Sequence, residues 1–129
     1  MTAPELSTQI LARQMRLRSF LEARRLNYIV VSNLANVFYL TGFRGSAGIA
    51  LIGRDEGVLC VDPRYTLQAR EQARGVEVRE EKQRLLKAAG TWLRRQHAKR
   101  VGFDEGHLSY SAWRELQTAA GRHCKLRPS

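Results

Sequence analysis

Four consecutive residues, Tyr28-Ile29-Val30-Val31, restrict the fold more than any other stretch. A β-branched and aromatic run this short cannot stand alone as a helix, and it is apolar on both faces. It predicts a strand in the middle of a sheet. Two similar runs, Ile49-Ala50-Leu51-Ile52 and Val58-Leu59-Cys60-Val61, flank the polar segment Gly53-Arg54-Asp55-Glu56-Gly57, which is a hairpin signal. Helical periodicity fills the spaces around these strands. Leu6, Ile10, Leu17 and Leu21 mark an amphipathic helix over about residues 4–25. Leu34, Val37, Phe38 and Thr41 mark a short one, with Ser32 as candidate N-cap and Gly42 as its left-handed stop.

Further along, Asp62-Pro63 reads as an N-cap followed by proline at the first helical position, and Tyr65, Leu67, Ala69 and Ala73 continue a helix until Gly75. The alternation from Val76 to Arg79 predicts a strand exposed on one face, near a sheet edge. Leu85, Leu86, Ala89, Trp92 and Leu93 form one stripe of a helix over about residues 82–97, interrupted by Gly90 at a cost of ~1 kcal/mol relative to alanine. A strand over Arg100 to Asp104 follows. Then comes a helix capped by Ser109 and lined by Ala112, Trp113, Leu116 and Ala120 up to Gly121, and a last strand around Cys124 to Leu126. Strands alternating with helices, plus one hairpin, predict an α/β layer structure with a mixed sheet covered on both faces.

At 129 residues one core is expected, since single domains run to ~100–150 residues. No run approaches the ~18 apolar residues a membrane span needs, and the arginine-bearing start reads as an amphipathic helix rather than a secretory signal or presequence. The net charge of +10 could serve nucleic acid or an acidic partner, but the arginines are scattered and form no block of like charge. They read as solvated helix faces. Cys60 and Cys124 stand 64 positions apart with no CxxC, which fits a reducing, cytoplasmic setting and neither a zinc site nor a disulfide framework.

The stretch Tyr39-Leu40-Thr41-Gly42-Phe43-Arg44-Gly45-Ser46-Ala47-Gly48, followed by Asp62-Pro63-Arg64-Tyr65, resembles the amino-terminal domain of the creatinase, prolidase and aminopeptidase P family. Val101-Gly102-Phe103-Asp104 and Leu108-Ser109-Tyr110 look like the same family's closing strand and helix entry. The resemblance implies a ribonuclease H-like α/β/α fold filling residues 1–129 as a single domain. It also implies a hydrolase parent whose absent carboxy-terminal pita-bread domain holds two divalent ions (Mn, Co or Zn) through two Asp, one His and two Glu, and cuts Xaa-Pro bonds. This chain alone is then expected to carry no catalytic residue and no metal ligand. Its implied role is to build an oligomer with a second subunit and to lean a loop over the active site.

By similarity, Phe43 and Arg44 are the loop residues that would face a proline-containing peptide, with Arg64 and Tyr65 close by. Arginine suits a substrate carboxylate, which its planar fork binds through two hydrogen bonds. The plainer alternative has Phe43 plugging the core edge, Arg44 in water and Tyr65 as a packing residue with a wet hydroxyl.

A rival reading takes the fold as a nuclease. Asp62 and Asp104 each follow an apolar strand, so both could emerge at one sheet end, as two-metal phosphodiester hydrolysis requires. Against it, Asp62 already serves as a helix cap and no further carboxylates arrive in suitable context, so nucleic acid is not the expected partner. The glycine loop runs from helix to strand, the reverse of a phosphate loop. Ser46 and Ser109 have no histidine placed to activate them, and His97, His107 and His123 stand singly.

Overall fold

The computed structural model describes residues 2–104, 106 and 108–129. In chain order the elements are α1 (Ala3–Arg24), β1 (Tyr28–Val31), α2 (Leu34–Thr41), β2 (Ile49–Gly53), β3 (Gly57–Val61), a 3-10 turn (Pro63–Tyr65), α3 (Thr66–Gln72), β4 (Glu77–Glu80), α4 (Leu85–Arg95), β5 (Arg100–Phe103), α5 (Tyr110–Ala120) and β6 (Lys125–Pro128). The strands form one sheet in the order β4-β3-β2-β1-β5-β6. β2 is antiparallel to both its neighbours, whereas β1 with β5, β3 with β4 and β5 with β6 pair in parallel.

The alternation of side chains along each strand divides the core into two layers. Ile29, Val31, Ala50, Ile52, Leu59 and Val61 point to α1, α2 and α3, where Leu21, Val37, Leu40 and Phe43 meet them. Val30, Leu51, Val58, Cys60, Val101 and Phe103 point the other way, to α4 and α5, against Trp92, Leu93 and Leu116. The central strands are therefore apolar on both faces because helices cover both. Tyr28 joins the second layer with its ring edge-on to Trp92 at 5.0 Å, while its hydroxyl donates to Glu56 Oε1 at 2.6 Å. Burial and the Glu56 carboxylate push that phenol well above its usual range.

Several boundaries differ from the sequence expectation, each for a visible reason. Asn33 rather than Ser32 caps α2, its Oδ1 accepting from Ala35 and Asn36 N–H, because Ser32 is turned toward Asp104. The helix after Asp62 begins as a 3-10 turn and ends at Gln72, short of Gly75, where the Arg74 N–H is drawn to the Thr41 carbonyl at 2.9 Å. α4 starts at Leu85, and Arg84 before it is held by a two-pronged ion pair to Glu115 on α5. The last strand extends through Pro128, which sits at a sheet edge where a missing N–H is tolerated.

Gly90 has a cause the sequence did not disclose. A Cβ there would lie 2.5 Å from Ala119 Cβ and 2.7 Å from the Leu116 carbonyl oxygen, so α4 and α5 touch backbone to backbone at this point. Gly90→Ala should therefore destabilise the fold by up to about 2 kcal/mol, the overpacking cost of ~1–3 kcal/mol less the ~1 kcal/mol gain in helix propensity. A lowered urea midpoint at unchanged slope is the expected result.

Cys60 and Cys124 are free and buried. Burial pushes the Cys60 thiol up to about 12 and the Cys124 thiol up to about 11. Neither should react with a disulfide reagent at pH 8 until the protein is denatured. Because folding raises both values, the unfolded chain releases these protons first, so stability should decline as pH climbs above about 9, the ordinary thiol value.

Candidate functional site

The glycine-rich loop, residues 42–48, leaves α2 through a left-handed Gly42 (φ 87°) whose N–H donates to the Phe38 carbonyl. Phe43 then turns inward and is 1% exposed. Its amide donates to Thr41 Oγ1 at 3.2 Å, and Thr41 Oγ1 in turn donates to the Val37 carbonyl at 2.7 Å. The two following glycines close over the phenyl ring. A Cβ on Gly45 would overlap Phe43 Cζ, and one on Gly48 would stand 2.9 Å from Cε2. The spacing Phe43-x-Gly45-x-x-Gly48 is thus a backbone lid laid directly on an aromatic plug.

The four residues singled out from the sequence divide into separate placements. Phe43 has its ring in the core, so its side chain offers nothing to a ligand on this chain's surface. Tyr65 packs edge-on to Phe43 with centroids 6.0 Å apart, and its hydroxyl shares a hydrogen bond with Ser46 Oγ. Arg64 is exposed, but its fork is taken by Asp62 through contacts of 3.1 and 2.8 Å, and its guanidinium lies over the Tyr65 ring at 5.2 Å. That pairing holds the Asp62 carboxyl below its ordinary range. Arg44 is different. Its amide is pinned by Gln72 Oε1 at 2.8 Å, its guanidinium lies 4.5 Å above the Phe38 ring, and no carboxylate pairs with it among the described residues.

Arg44 and Tyr65 are anchored at opposite ends of α3, a seven-residue helix about 10 Å long. The structure therefore stacks Phe43, Tyr65 and Arg64 in one series of contacts, whereas the Arg44 side chain, next in the chain to Phe43, lies over the Phe38 ring instead. Residues absent from the sequence reading hold the arrangement. Gln14 is fully buried in α1 and its Nε2 donates to the Leu40 and Arg74 carbonyls, each at 2.8 Å, tying α1 to the ends of α2 and α3. Its place between Ile10 and Leu17 on the apolar stripe was the available signal.

Asp104 and Asp62 do leave the sheet at the same end, as the nuclease reading asked, yet they cannot share a metal. β3 and β5 are three steps apart in the sheet, roughly 14 Å at ~4.8 Å per step, against the ~3.5–4 Å between ions of a two-metal site. Asp104 is also engaged, accepting from the Ser32 N–H, the Ser32 hydroxyl at 3.1 Å and the Asn33 N–H at 2.7 Å. It is an anchor for the start of α2. Among the described residues no three His, Cys, Asp or Glu side chains converge on a metal site. His97 ends α4 in a left-handed conformation (φ 55°), His123 lies before β6, and His107 is outside the described residues.

The sequence profile of the creatinase/prolidase N-terminal domain matches residues 13–129. The chain belongs to that family. Peptidase YqhT of Bacillus subtilis, itself uncharacterized, is 32% identical over 98 residues, covering 76% of this chain and 28% of that protein. The creatinase/prolidase N-terminal domain described here thus spans little more than a quarter of that relative's length. Among solved structures, the N-terminal domain of the cytoplasmic peptidase PepQ of Mycobacterium tuberculosis superposes with a TM-score of 0.84 at 31% identity, covering 92% of this chain and 93% of that one. An Xaa-Pro dipeptidase of Bacillus anthracis shares the fold with a TM-score of 0.85 at 24% identity, covering 93% of this chain and 33% of that one. The mixed six-stranded sheet agrees with the layer reading and with the family resemblance alike. No helix of the described residues is long and apolar enough to cross a membrane.

Proposed function

We propose that this creatinase/prolidase N-terminal domain is the noncatalytic part of a cytoplasmic, metal-dependent Xaa-Pro peptidase, a prolidase or aminopeptidase P, and that it helps to build an oligomer and to cover an active site. In this reading the two divalent ions (Mn, Co or Zn) and their ligands belong to a carboxy-terminal catalytic domain. The acids of the present chain suit that division of labour, since Asp104 is committed to the α2 backbone, Asp62 to Arg64 and Glu115 to Arg84. The observation that carries the reading is Arg44: an exposed cation on a backbone pinned from two sides, without an ion-pair partner among the described residues. Such a group is preorganised to receive a carboxylate through paired hydrogen bonds.

In a full-length protein containing this domain, Arg44→Ala should raise KM for an Xaa-Pro peptide about tenfold, the equivalent of one lost charged contact of ~1.4 kcal/mol. Its melting temperature should stay within a degree or so, because the side chain is exposed. Unchanged kinetics would remove the loop from the substrate. The isolated 129-residue chain, incubated with Mn(II) or Co(II) and an Xaa-Pro peptide, should release no product, and hydrolysis would overturn the noncatalytic assignment.

A further inference from the structure

Residues 41–44, where α2 gives way to the glycine loop, are fastened to the end of α3 at three points. The Arg74 N–H donates to the Thr41 carbonyl at 2.9 Å. The Gln72 carbonyl oxygen lies so close to Gly42 that a Cβ there would stand 2.9 Å from it. The third point is a side chain: Gln72 Oε1 accepts the Arg44 N–H at 2.8 Å. One turn back along α3, Gln68 Nε2 donates to the same oxygen at 3.2 Å. Two donors on one atom fix which end of the Gln72 amide faces the loop, since an NH2 group turned that way would set donor against donor. The far end of Arg44 is placed by a different group, the half-buried Phe38, whose ring lies 4.5 Å from the guanidinium.

We propose that Gln72 is the positioning residue for Arg44, fixing where its guanidinium stands without itself touching a ligand. This rests on the reading of Arg44 as the group that receives a substrate carboxylate. On either side the loop is held by the core, Phe43 through its buried ring and Gly45 through its contact with that ring. Neither of those contacts bonds the Arg44 N–H, so without Gln72 Oε1 the peptide plane between Phe43 and Arg44 could turn and swing the side chain with it. Paired hydrogen bonds to a carboxylate are directional, and an arginine that had to be ordered during binding would lose affinity to the entropy of ordering. Gln68 serves the same end one step further back by keeping the Gln72 oxygen turned to the loop. A purely structural glutamine would act otherwise. Gln117, whose Nε2 ties the Gly121 and Cys124 carbonyls on the opposite side of the sheet, holds only its own helix end in place.

The test uses a full-length protein containing this domain and an Xaa-Pro peptide. Gln72→Met keeps the length of the side chain and removes its acceptor. It should raise KM about fivefold, the equivalent of one net hydrogen bond, and leave kcat within about twofold. Combined with Arg44→Ala it should raise KM no further than Arg44→Ala alone, because the two residues act as one unit. Hydrogen exchange of the fragment containing Arg44 should quicken about fivefold in Gln72→Met. Gln117→Met serves as the control, expected to lower the melting temperature while KM stays at the parent value. Parent KM in Gln72→Met beside a raised KM in Arg44→Ala would overturn the positioning role alone. So would full additivity of the two variants, an unaltered exchange rate at Arg44, or an equal KM rise in Gln117→Met. Parent KM in Arg44→Ala itself would instead remove the substrate-facing reading, and the role of Gln72 with it.

Discussion

Phe43→Ala should cost the fold about 3–5 kcal/mol, the range for deleting a fully buried aromatic ring, out of the ~5–15 kcal/mol that holds a domain of this size. The upper half of that range is expected here. The ring is enclosed by core residues below, by Tyr65 at its edge and by the backbone of Gly45 and Gly48 above, and a glycine backbone cannot send a side chain into the void. Denaturant unfolding should show the loss as a shifted midpoint. Phe43→Leu, which keeps much of the volume, should lose less than half as much. A loss under ~1 kcal/mol for the alanine variant would mean that the loop collapses into the space, and the account of the motif as a lid on a plug would fail.

Asp104→Ala is expected to cost about 2–4 kcal/mol although it removes only a small polar side chain. Its carboxylate accepts two backbone amides, from Ser32 and Asn33, and the Ser32 hydroxyl. Hydrogen bonds to a charged group contribute ~1.5–3 kcal/mol each without adding fully, and a donor left partnerless in a partly buried site carries its own penalty of ~1–3 kcal/mol. The carboxylate also stands at the start of α2, where the helix dipole favours negative charge. Asp104→Asn retains the shape but aims an NH2 group at donors, so it should be nearly as damaging. Thermal unfolding of both variants checks this, and an asparagine variant as stable as the parent would show that charge and donor matching are unimportant there.

Much of the architecture was legible because it rests on burial. Val30, Leu51 and Cys60 had to point into one apolar layer while Ile29, Ile52 and Leu59 pointed into another, and only a sheet with helices on both sides satisfies both sets. The edge position of β4 was legible from its alternating charges. What stayed hidden depends on contacts between residues far apart in the chain. Ser32 looked like a cap until Asp104, 72 positions away, claimed its N–H and hydroxyl. Gly90 looked like a helix defect until α5 was laid against it. The candidate site divided for the same reason. An aromatic between glycines gives no sign of which way it faces, and only the core packing shows Phe43 turned in while Arg44 is turned out.

The reversed direction of β2 decides where the two halves of the recognisable motif end up. Residues 43–48 run into β2 and residues 62–65 run out of β3, and the hairpin pairs Ile49 with Cys60. A chain that turns back on itself returns to the rim it left, so Ser46 and Tyr65 are neighbours although 19 positions separate them. Had β2 run with the others, a strand of five residues would have carried those halves to opposite rims about 17 Å apart. One U-turn in the polypeptide makes a single patch out of what the sequence spells as two words.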